Sequence, residues 1–161
     1  MKRILSICIA CIMVLSMVQP VFAEETNDDL YEMVFEEEGS PIDNEFKDEN
    51  TMVTPRTRYI MTVKTSAKYM GSNQVALHGD VLCNSTVKTI SCTFYLQRYQ
   101  NGSWVNVSTG SISVSNANKL SKTATVSGVA SGTYRAKCVG RVTDSNGYSE
   151  SVTGYSGSMS F

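Results

Sequence analysis

The sequence predicts an all-β fold for the part of the chain that follows residue 55, and three observations support this prediction. Short runs of Val, Ile, Thr, Tyr and Phe recur there, separated by Gly, Asn and Ser, which is typical of many short strands. Within the runs, apolar and polar residues alternate, as they do in strands that bury one face. Two Asn-Gly pairs stand between such runs, and proline, which interrupts sheets, does not occur beyond Pro55.

The alternation defines the first strands in order. One strand is predicted over residues 59–65 and a second over residues 74–83. The second is expected to bury Val75, Leu77, Gly79, Val81 and Cys83 and to expose Ala76, His78, Asp80 and Leu82 to solvent. A third strand over residues 88–99 is expected to bury Ile90, Cys92, Phe94 and Leu96.

The dipeptide Asn101-Gly102 follows the third strand and favours a type I′ hairpin, because both central residues of that turn need positive φ. A two-residue turn fixes the register of the two strands. The predicted pairs are Gln100 with Ser103, Tyr99 with Trp104, Gln97 with Asn106, and Leu96 with Val107. This register places Leu96 and Val107 in the core, and Tyr99 and Trp104 outside it.

Further alternation surrounds Ile112 and Val114 and continues over residues 120–126 and 133–143. A second Asn-Gly pair at residues 146–147 leads into a closing strand over residues 148–161. Seven to eight antiparallel strands in about a hundred residues predict an immunoglobulin-like Greek-key sandwich. A small barrel is the alternative.

Four stretches of this domain, residues 95–99, 101–104, 131–135 and 146–151, resemble small secreted β-sandwich proteins of Gram-positive bacteria, a family of unknown function. The resemblance implies the fold and an extracellular setting, and it brings no functional residues. Gly132-Thr133-Tyr134 also looks like the tyrosine corner of immunoglobulin-like domains. However, Cys138 follows Tyr134 by four residues rather than two, which weakens the expectation of the usual inter-sheet disulfide.

The beginning of the chain predicts export. Lys2 and Arg3 precede an apolar run over residues 4–18, and the small-residue pattern at residues 21–23 indicates a signal peptide over residues 1–23. The apolar run is too short to span a bilayer comfortably, so no stable membrane anchor is expected. The predicted location is extracellular, with a leader over residues 24–55 and a β-sandwich domain over residues 56–161.

The leader and the domain carry opposite charges. Residues 24–55 contain twelve acidic residues and one base, and residues 56–161 contain eleven bases and three acids. The leader is predicted to be disordered, because its apolar patch around Tyr31 and Phe35 cannot offset the ordering entropy, although it could form a turn of helix when bound. The asymmetry fits contact between the two parts, a basic surface for a polyanion, or an acidic leader that only keeps the protein soluble.

Three cysteines, Cys83, Cys92 and Cys138, follow the predicted signal peptide, and all fall at inward positions. One disulfide with one free thiol, or three buried thiols, would both fit. A catalytic thiol is not expected in apolar surroundings. The cysteine spacing does not resemble a zinc site, so no metal is predicted.

No catalytic residues and no cofactor are predicted, so the chain is not expected to be an enzyme. His78 is the only histidine, and no pattern of acid and nucleophile surrounds it. The carboxyls of the domain are those of Asp80, Asp144 and Glu150, and turn formation accounts for Asp144-Ser145-Asn146-Gly147 more simply than glycoside cleavage does.

Two candidate binding surfaces remain. Tyr95, Gln97, Tyr99, Trp104 and Asn106 combine outward aromatic rings with amides, which suits a sugar, although Tyr99 and Trp104 could simply be a stabilising cross-strand pair. Arg135, Lys137 and Arg141 form a basic stripe for an anionic polymer, a phospholipid or the leader, although a solvated strand face would look the same. Nucleic acid is not an expected partner, because no binding motif is present.

These observations predict a secreted, non-enzymatic module that binds a cell-surface polymer such as an anionic wall polymer, a glycan or a protein. The alternative is a secreted antimicrobial or toxin-like protein. In that interpretation, the acidic leader masks the basic domain until the chain is cleaved near residues 56–58.

Overall fold

The computed structural model describes residues 31–37, 46, 51–53 and 57–161. The predicted signal peptide and most of the leader lie outside these residues. Within them the chain forms eight strands: β1 (Met33–Phe35), β2 (Thr51–Val53), β3 (Ile60–Gly71), β4 (Gln74–Gln100), β5 (Ser103–Val126), β6 (Thr133–Thr143), β7 (Ser149–Tyr155) and β8 (Met159–Ser160). The described segments include no helix long and apolar enough to cross a bilayer.

The strands form two layers because β4 and β5 each contribute to both. In the first sheet, residues 74–83 of β4 lie between β3 and residues 119–126 of β5, with β2 and β1 at the two edges. In the second sheet, residues 87–100 of β4 lie between residues 103–117 of β5 and β6, and β6 also pairs with β7 and β8. The register breaks between Leu82 and Val87, where β4 crosses from one sheet to the other.

The connectivity is that of an immunoglobulin-like Greek key. β5 ends in the first sheet, and β6 then returns to the second sheet to lie beside β4, so these consecutive strands are not neighbours. All the pairings among the described strands are antiparallel, and they do not close into a ring. The predicted fold class is confirmed, and the barrel alternative is wrong.

The core lies between the two sheets. The predicted inward residues of β4, from Val75 to Leu96, are almost fully buried. Two glycines show how closely the sheets approach: a Cβ on Gly79 would lie 2.7 Å from the ring of Phe94, and a Cβ on Gly140 would lie 2.8 Å from Val81. The alternation in the sequence therefore identified the core faces of this strand correctly.

The connection between the sheets is fixed by a tyrosine corner. The hydroxyl of Tyr134 donates a hydrogen bond to the carbonyl oxygen of Ala130 at 2.7 Å. The ring of Phe161 stacks on Tyr134 at 5.3 Å between centroids and on Tyr69 at 3.9 Å. The arrangement has the form that Gly132-Thr133-Tyr134 predicts from its likeness to immunoglobulin-like domains.

The first Asn-Gly hairpin follows the predicted register for most of its length. Asn101 and Gly102 have φ of 49° and 82°, and the pairs Tyr99–Trp104 and Gln97–Asn106 form as predicted. Beyond that point Leu96 pairs with Ser108, because a bulge leaves Val107 without a partner in register. The predicted pairing of Leu96 with Val107 is therefore wrong, although Val107 still packs against the core.

Two segments of the leader are ordered, contrary to the prediction of disorder and of a helical turn around residue 33. β1 pairs with the end of β5 at one edge of the first sheet, and β2 pairs with β3 at the other edge. The backbone of Tyr31 also bonds to β5 near its start: its N–H donates to Val107 O at 2.8 Å, and its carbonyl accepts from Ser108 Oγ at 2.7 Å. Because the neighbouring strands satisfy its backbone groups, the β1 segment is held as a strand.

The prediction that His78 is solvated is wrong. Its side chain lies on the outer side of the first sheet, yet the residue is only 8% exposed, because the ring of Phe46 stacks on it at 5.5 Å. His78 Nδ1 lies 2.8 Å from the hydroxyl of Thr123. Ala76, two residues earlier on the same face, is also buried. A leader residue thus covers a face that the sequence assigns to solvent.

One disulfide joins Cys92 on β4 to Cys138 on β6, and Cys83 is free and buried. The two joined cysteines belong to adjacent strands of the second sheet, so the bridge does not link the two sheets. Burial, together with the nearby charge of Glu150, raises the pKa of the Cys83 thiol to about 11. Of the two arrangements compatible with these three cysteines, all within the described residues, the structure has one bridge and one thiol.

Candidate binding face

The two surfaces predicted separately lie side by side on the solvent face of the second sheet, called here the outer face. In register across β5, β4 and β6, Asn106 lies beside Gln97, which lies beside Arg135. Tyr95 lies beside Lys137, which lies beside Tyr155 of β7. The cation–aromatic cluster is defined by this set: Tyr95, Gln97, Tyr99, Trp104, Asn106, Arg135, Lys137 and Tyr155.

Arg135 is at the centre of this cluster. Its guanidinium carbon lies 4.4 Å from the ring centroid of Trp104 and 4.4 Å from that of Tyr155. Its Nε donates to Gln97 Oε1 at 2.8 Å, and Gln97 Nε2 donates to Asn106 Oδ1 at 2.8 Å. Two rings and an amide relay therefore hold the guanidinium in place, which gives this cation little freedom to lose on binding.

Lys137 and Tyr95 form a second cation–π pair beside the first. The ammonium nitrogen of Lys137 lies 4.9 Å from the ring centroid of Tyr95. Tyr99 and Trp104 are a tilted cross-strand pair at 5.2 Å, the arrangement that the sequence left open as the structural role of these rings. Tyr99 is 49% exposed and Tyr155 is 39% exposed, so each presents a ring to solvent.

Arg141, the third residue of the predicted basic stripe, lies apart from the cluster. It is exposed, and it lies in register between Ser91 and Ser151. The four residues that separate it from Lys137 along β6 correspond to roughly 13 Å of extended chain. The predicted stripe is therefore split into a cluster with two cations and one separate arginine.

Sequence reasoning missed Tyr155. It lies in the closing strand, whose alternation is weak, and only its pairing with Lys137 places it next to Arg135. Counting through the second Asn-Gly turn as a two-residue hairpin does not find it, because that register pairs Lys137 with Ser156 instead of Tyr155. The observed turn departs from a simple two-residue hairpin, because Asp144 N–H donates to the carbonyl of Tyr148 across it.

The two carboxyls flanking that turn have structural partners. Glu150 accepts hydrogen bonds from three successive backbone N–H groups, those of Arg58, Tyr59 and Ile60, at 2.7 to 3.0 Å. Burial alone would raise the pKa of Glu150, but these N–H donors outweigh it and lower the pKa. Glu150 therefore anchors the start of β3 to the hairpin of β6 and β7.

Asp144 closes the turn itself. Its Oδ1 accepts from the N–H groups of Asn146 and Tyr148, and its Oδ2 accepts from the hydroxyl of Tyr59 at 2.9 Å. Burial opposes ionisation, but these donors lower the pKa of Asp144, and the same hydrogen bond raises the pKa of Tyr59. As the sequence indicated, the carboxylate serves turn formation.

The third carboxyl lies on the other sheet. His78 Nε2 approaches Asp80 Oδ1 at 3.4 Å, an electrostatic contact rather than a short hydrogen bond. Burial would raise the pKa of Asp80, but His78, Ser121 and Lys119 stabilise the carboxylate and lower the pKa to about 2. Across the described residues, no three His, Cys, Asp or Glu side chains come together as a metal site.

Two surface pockets lie away from the outer face. One, of about 330 Å³, lies on the first sheet and is lined by Lys64, Asp80 and Lys119 among others. The other, of about 260 Å³, lies at the end of the sandwich, where Lys88 and Asp144 contribute to its wall. Neither is lined by any residue of the cation–aromatic cluster.

Comparisons with known proteins add little. No family model matches the chain, and no curated protein matches it. Among solved structures, the chain is similar to the GAE domain of GGA2p from Saccharomyces cerevisiae, at 11% identity and a TM-score of 0.37. That match covers 68% of this chain and 96% of the other. The strand registers carry the fold assignment.

Proposed function

We propose that the chain is a secreted, non-enzymatic binding module whose outer face engages an anionic polymer of a cell surface. The observation that carries this proposal is Arg135, which contacts the rings of Trp104 and Tyr155 and is bonded through Nε to Gln97. Among the described residues, no group bonds to its two Nη atoms. These donors are free to meet a carboxylate or phosphate, whose geometry a guanidinium matches.

The charge of the outer face supports an anionic ligand. In register across β5, β4, β6 and β7, 21 residues of the described chain lie on this face. Three of them are basic, Arg135, Lys137 and Arg141, and none is acidic. A face that has cations and no carboxylate attracts polyanions, because it carries no negative charge that would repel them.

The aromatic rings support a ligand with apolar faces of its own. Tyr99, Trp104 and Tyr155 lie beside amide and cationic side chains, the combination that suits a sugar ring bearing hydroxyls and an acid group. A polymer that carries phosphate or carboxylate groups but no sugar rings would contact only the cations. The aromatic rings would then have no role beyond holding those cations in place.

The state of the carboxyls supports a role without catalysis. A general acid needs a pKa near the working pH. The pKa values of Asp80, Asp144 and Glu150 are all lowered instead. Asp144 and Glu150 are also bound to backbone N–H groups that hold the turn and β3 in place.

The described part of the leader favours this function over the masked toxin. β1 and β2 lie at the edges of the first sheet, and Phe46 covers His78 on that sheet. The cation–aromatic cluster is on the second sheet, which the described leader meets through the backbone of Tyr31 at Val107 and Ser108 of β5. The segments of the leader that the structure places therefore do not cover Arg135 or Lys137.

Binding by the chain from residue 24 onward tests the proposal. The probes are polygalacturonate, a neutral dextran and polyphosphate, each immobilised on a surface. The affinity of the chain for each probe is measured over a range of salt concentrations. The variant Arg135→Gln/Lys137→Gln is expected to weaken polygalacturonate binding by about tenfold or more, because it removes both held cations.

The matched control is Lys64→Gln/Lys119→Gln, which removes the same charge from the first sheet. It is expected to change affinity by less than about twofold, a difference too small to indicate a direct contact. Equal losses in the two variants would show attraction by net charge alone and would reject the proposed face. Full affinity in the cluster variant, or no affinity of the parent chain for any of the probes, would reject it too.

A further inference from the structure

The rest of the outer face is built almost entirely from hydroxyl side chains. Beyond the cluster, three successive rows run across β5, β4, β6 and β7. The rows are Ser111–Thr93–Val139–Thr153, Ser113–Ser91–Arg141–Ser151 and Ser115–Thr89–Thr143–Ser149. Ten of these twelve residues are Ser or Thr, and they are called here the hydroxyl rows.

Sheet stability alone does not explain this composition. Strands favour Thr and the other β-branched or aromatic residues, and serine is not among the favoured types. Six of the twelve positions are nevertheless serine. A solvated sheet face is also commonly protected by charged side chains, and here Arg141 supplies the single charge.

The hydroxyl rows are in part already aligned by hydrogen bonds. Ser111 Oγ donates to Thr93 Oγ1 at 2.9 Å, and the hydroxyls of Thr143 and Ser149 are 2.8 Å apart. Short side chains of this kind lose little rotamer entropy when a ligand covers them, in contrast to Lys, Arg or Glu. The rows therefore offer a dense array of donors and acceptors at small entropic cost.

The hydroxyl rows continue into the cluster, with the bulge at Val107 lying inside the cluster. The next row is Thr109–Tyr95–Lys137–Tyr155, and the rows through Gln97 and Tyr99 follow. Residues on one face repeat every two positions, so these six rows extend over roughly 34 Å. A cation lies near one end in Arg135, and another lies among the hydroxyls in Arg141.

We propose that the cluster and the hydroxyl rows together form one site for an extended acidic polysaccharide, which lies along the strands. This inference rests on the proposed function and names its ligand class. The exposed rings of Tyr99 and Tyr155 stack on sugars at one end, and the hydroxyl rows bond to sugar hydroxyls further along. Arg141 pairs with an acid group distant from the one held by Arg135.

The composition of the outer face favours this ligand over others. A neutral glycan would leave three cations unpaired, and an acyl chain would find no apolar patch in the hydroxyl rows, where Val139 is the single aliphatic residue. A second copy of the chain would bring two basic faces together, since this face carries cations and no acid in the described strands.

Ligand length tests the inference. The probes are galacturonate oligomers of two sizes: oligomers too short to reach from Lys137 to Arg141, and oligomers long enough to span all six rows. The variant Ser91→Glu places a negative charge beside Arg141 in the middle of the hydroxyl rows. It is expected to weaken the binding of long oligomers by about tenfold, because like charges in an interface repel, and to leave short oligomers within about twofold.

The matched control is Ser91→Gln, which has nearly the same size as Ser91→Glu and no charge. Its affinity for both oligomer lengths is expected to stay within about threefold of that of the parent chain, a difference in binding free energy of well under about 1.4 kcal/mol. Equal affinity of the parent chain for short and long oligomers, with no effect of Ser91→Glu, would overturn the inference. If Arg135→Gln/Lys137→Gln still abolished binding in that case, the proposed function would survive without the hydroxyl rows.

Self-association is checked in the same series by light scattering. A monomeric parent chain supports the inference. A parent chain that dimerises, and that Ser91→Glu converts to monomers, would show instead that the hydroxyl rows are an interface between copies. If Arg135→Gln/Lys137→Gln loses all binding, the cluster binds the polymer, and a failed length test then concerns the hydroxyl rows alone.

Discussion

The ring of Phe35 meets the ring of Phe94 edge-on, with 5.6 Å between the centroids and an angle of 70° between the planes. Phe94 is fully buried at the centre of the sandwich, whereas Phe35 lies in the predicted leader, residues 24–55. β1 thereby places a leader side chain against the core at the edge formed by β5. The leader is part of the folded unit at this point, and not only a soluble extension.

Phe35→Ala should destabilise the protein by about 2 kcal/mol, somewhat less than the cost of a fully buried Phe→Ala change, because the ring is only partly buried. Chemical denaturation of the chain from residue 24 measures this. Val34→Ala on the same strand is the control. Its side chain is 56% exposed, and the change should cost within about 0.5 kcal/mol. Equal stability of the two variants would mean that β1 does not complete the core.

Tyr134→Phe should cost about 1 kcal/mol, because it removes the hydrogen bond to Ala130 O while keeping the buried ring. The melting temperature and the denaturation midpoint both report the loss. The same change at Tyr99, whose ring is exposed, is the comparison and should be close to neutral. Equal stability of Tyr134→Phe and the parent chain would show that the hydrogen bond of the tyrosine corner does not stabilise the fold.

Glu150→Gln should cost about 1 to 2 kcal/mol at neutral pH, since three N–H groups lose a charged acceptor. The folded pKa of Glu150 is lowered from 4.5. Its stabilising contribution is therefore complete above that pH and is lost as the pH falls through the lowered folded value. Unfolding measured from pH 6 downward should show a shallower acid loss in Glu150→Gln than in the parent chain. Parallel curves would contradict the role of this carboxylate.

Thiol titration should find one thiol per chain, Cys83, when the chain from residue 24 is unfolded without reductant, and three when it is unfolded with reductant. In the native protein Cys83 should react slowly, because it is buried and its pKa is raised to about 11. Reduction of the bridge should lower stability by about 2 to 4 kcal/mol. Three thiols in the unreduced chain would show that the bridge does not form.

Much of the fold followed from local patterns. The two-residue period of residues 74–96 is a direct consequence of packing one strand face against a second sheet, so it identified Val75, Phe94 and Leu96 as core. The turn at Asn101-Gly102 could be recognised from the sequence, because its positive φ angles favour those residue types. This turn then predicted the register of β4 with β5. Tyr99 and Trp104, next to this turn, pair in the predicted register for the same reason.

Other parts depend on contacts between distant segments and leave no local signal. His78 lies in a polar position of an alternating strand, and only the arrival of Phe46 from the leader buries it. The bulge at Val107 shifts the pairing of Leu96 by one residue, and nothing in the alternation marks it. The merging of the aromatic set with Arg135 required the order of β5, β4 and β6 across the sheet, which a single sequence does not give.

The most direct test of the account is a backbone amide NMR titration of the chain from residue 24 with long galacturonate oligomers. We expect the largest shifts on the outer face of the second sheet, from Tyr99 and Arg135 through Lys137 to Ser91 and Arg141, with the first sheet around Lys64 little affected. Shifts centred on the pocket lined by Lys64 and Lys119, or no shifts at saturating polymer, would contradict it.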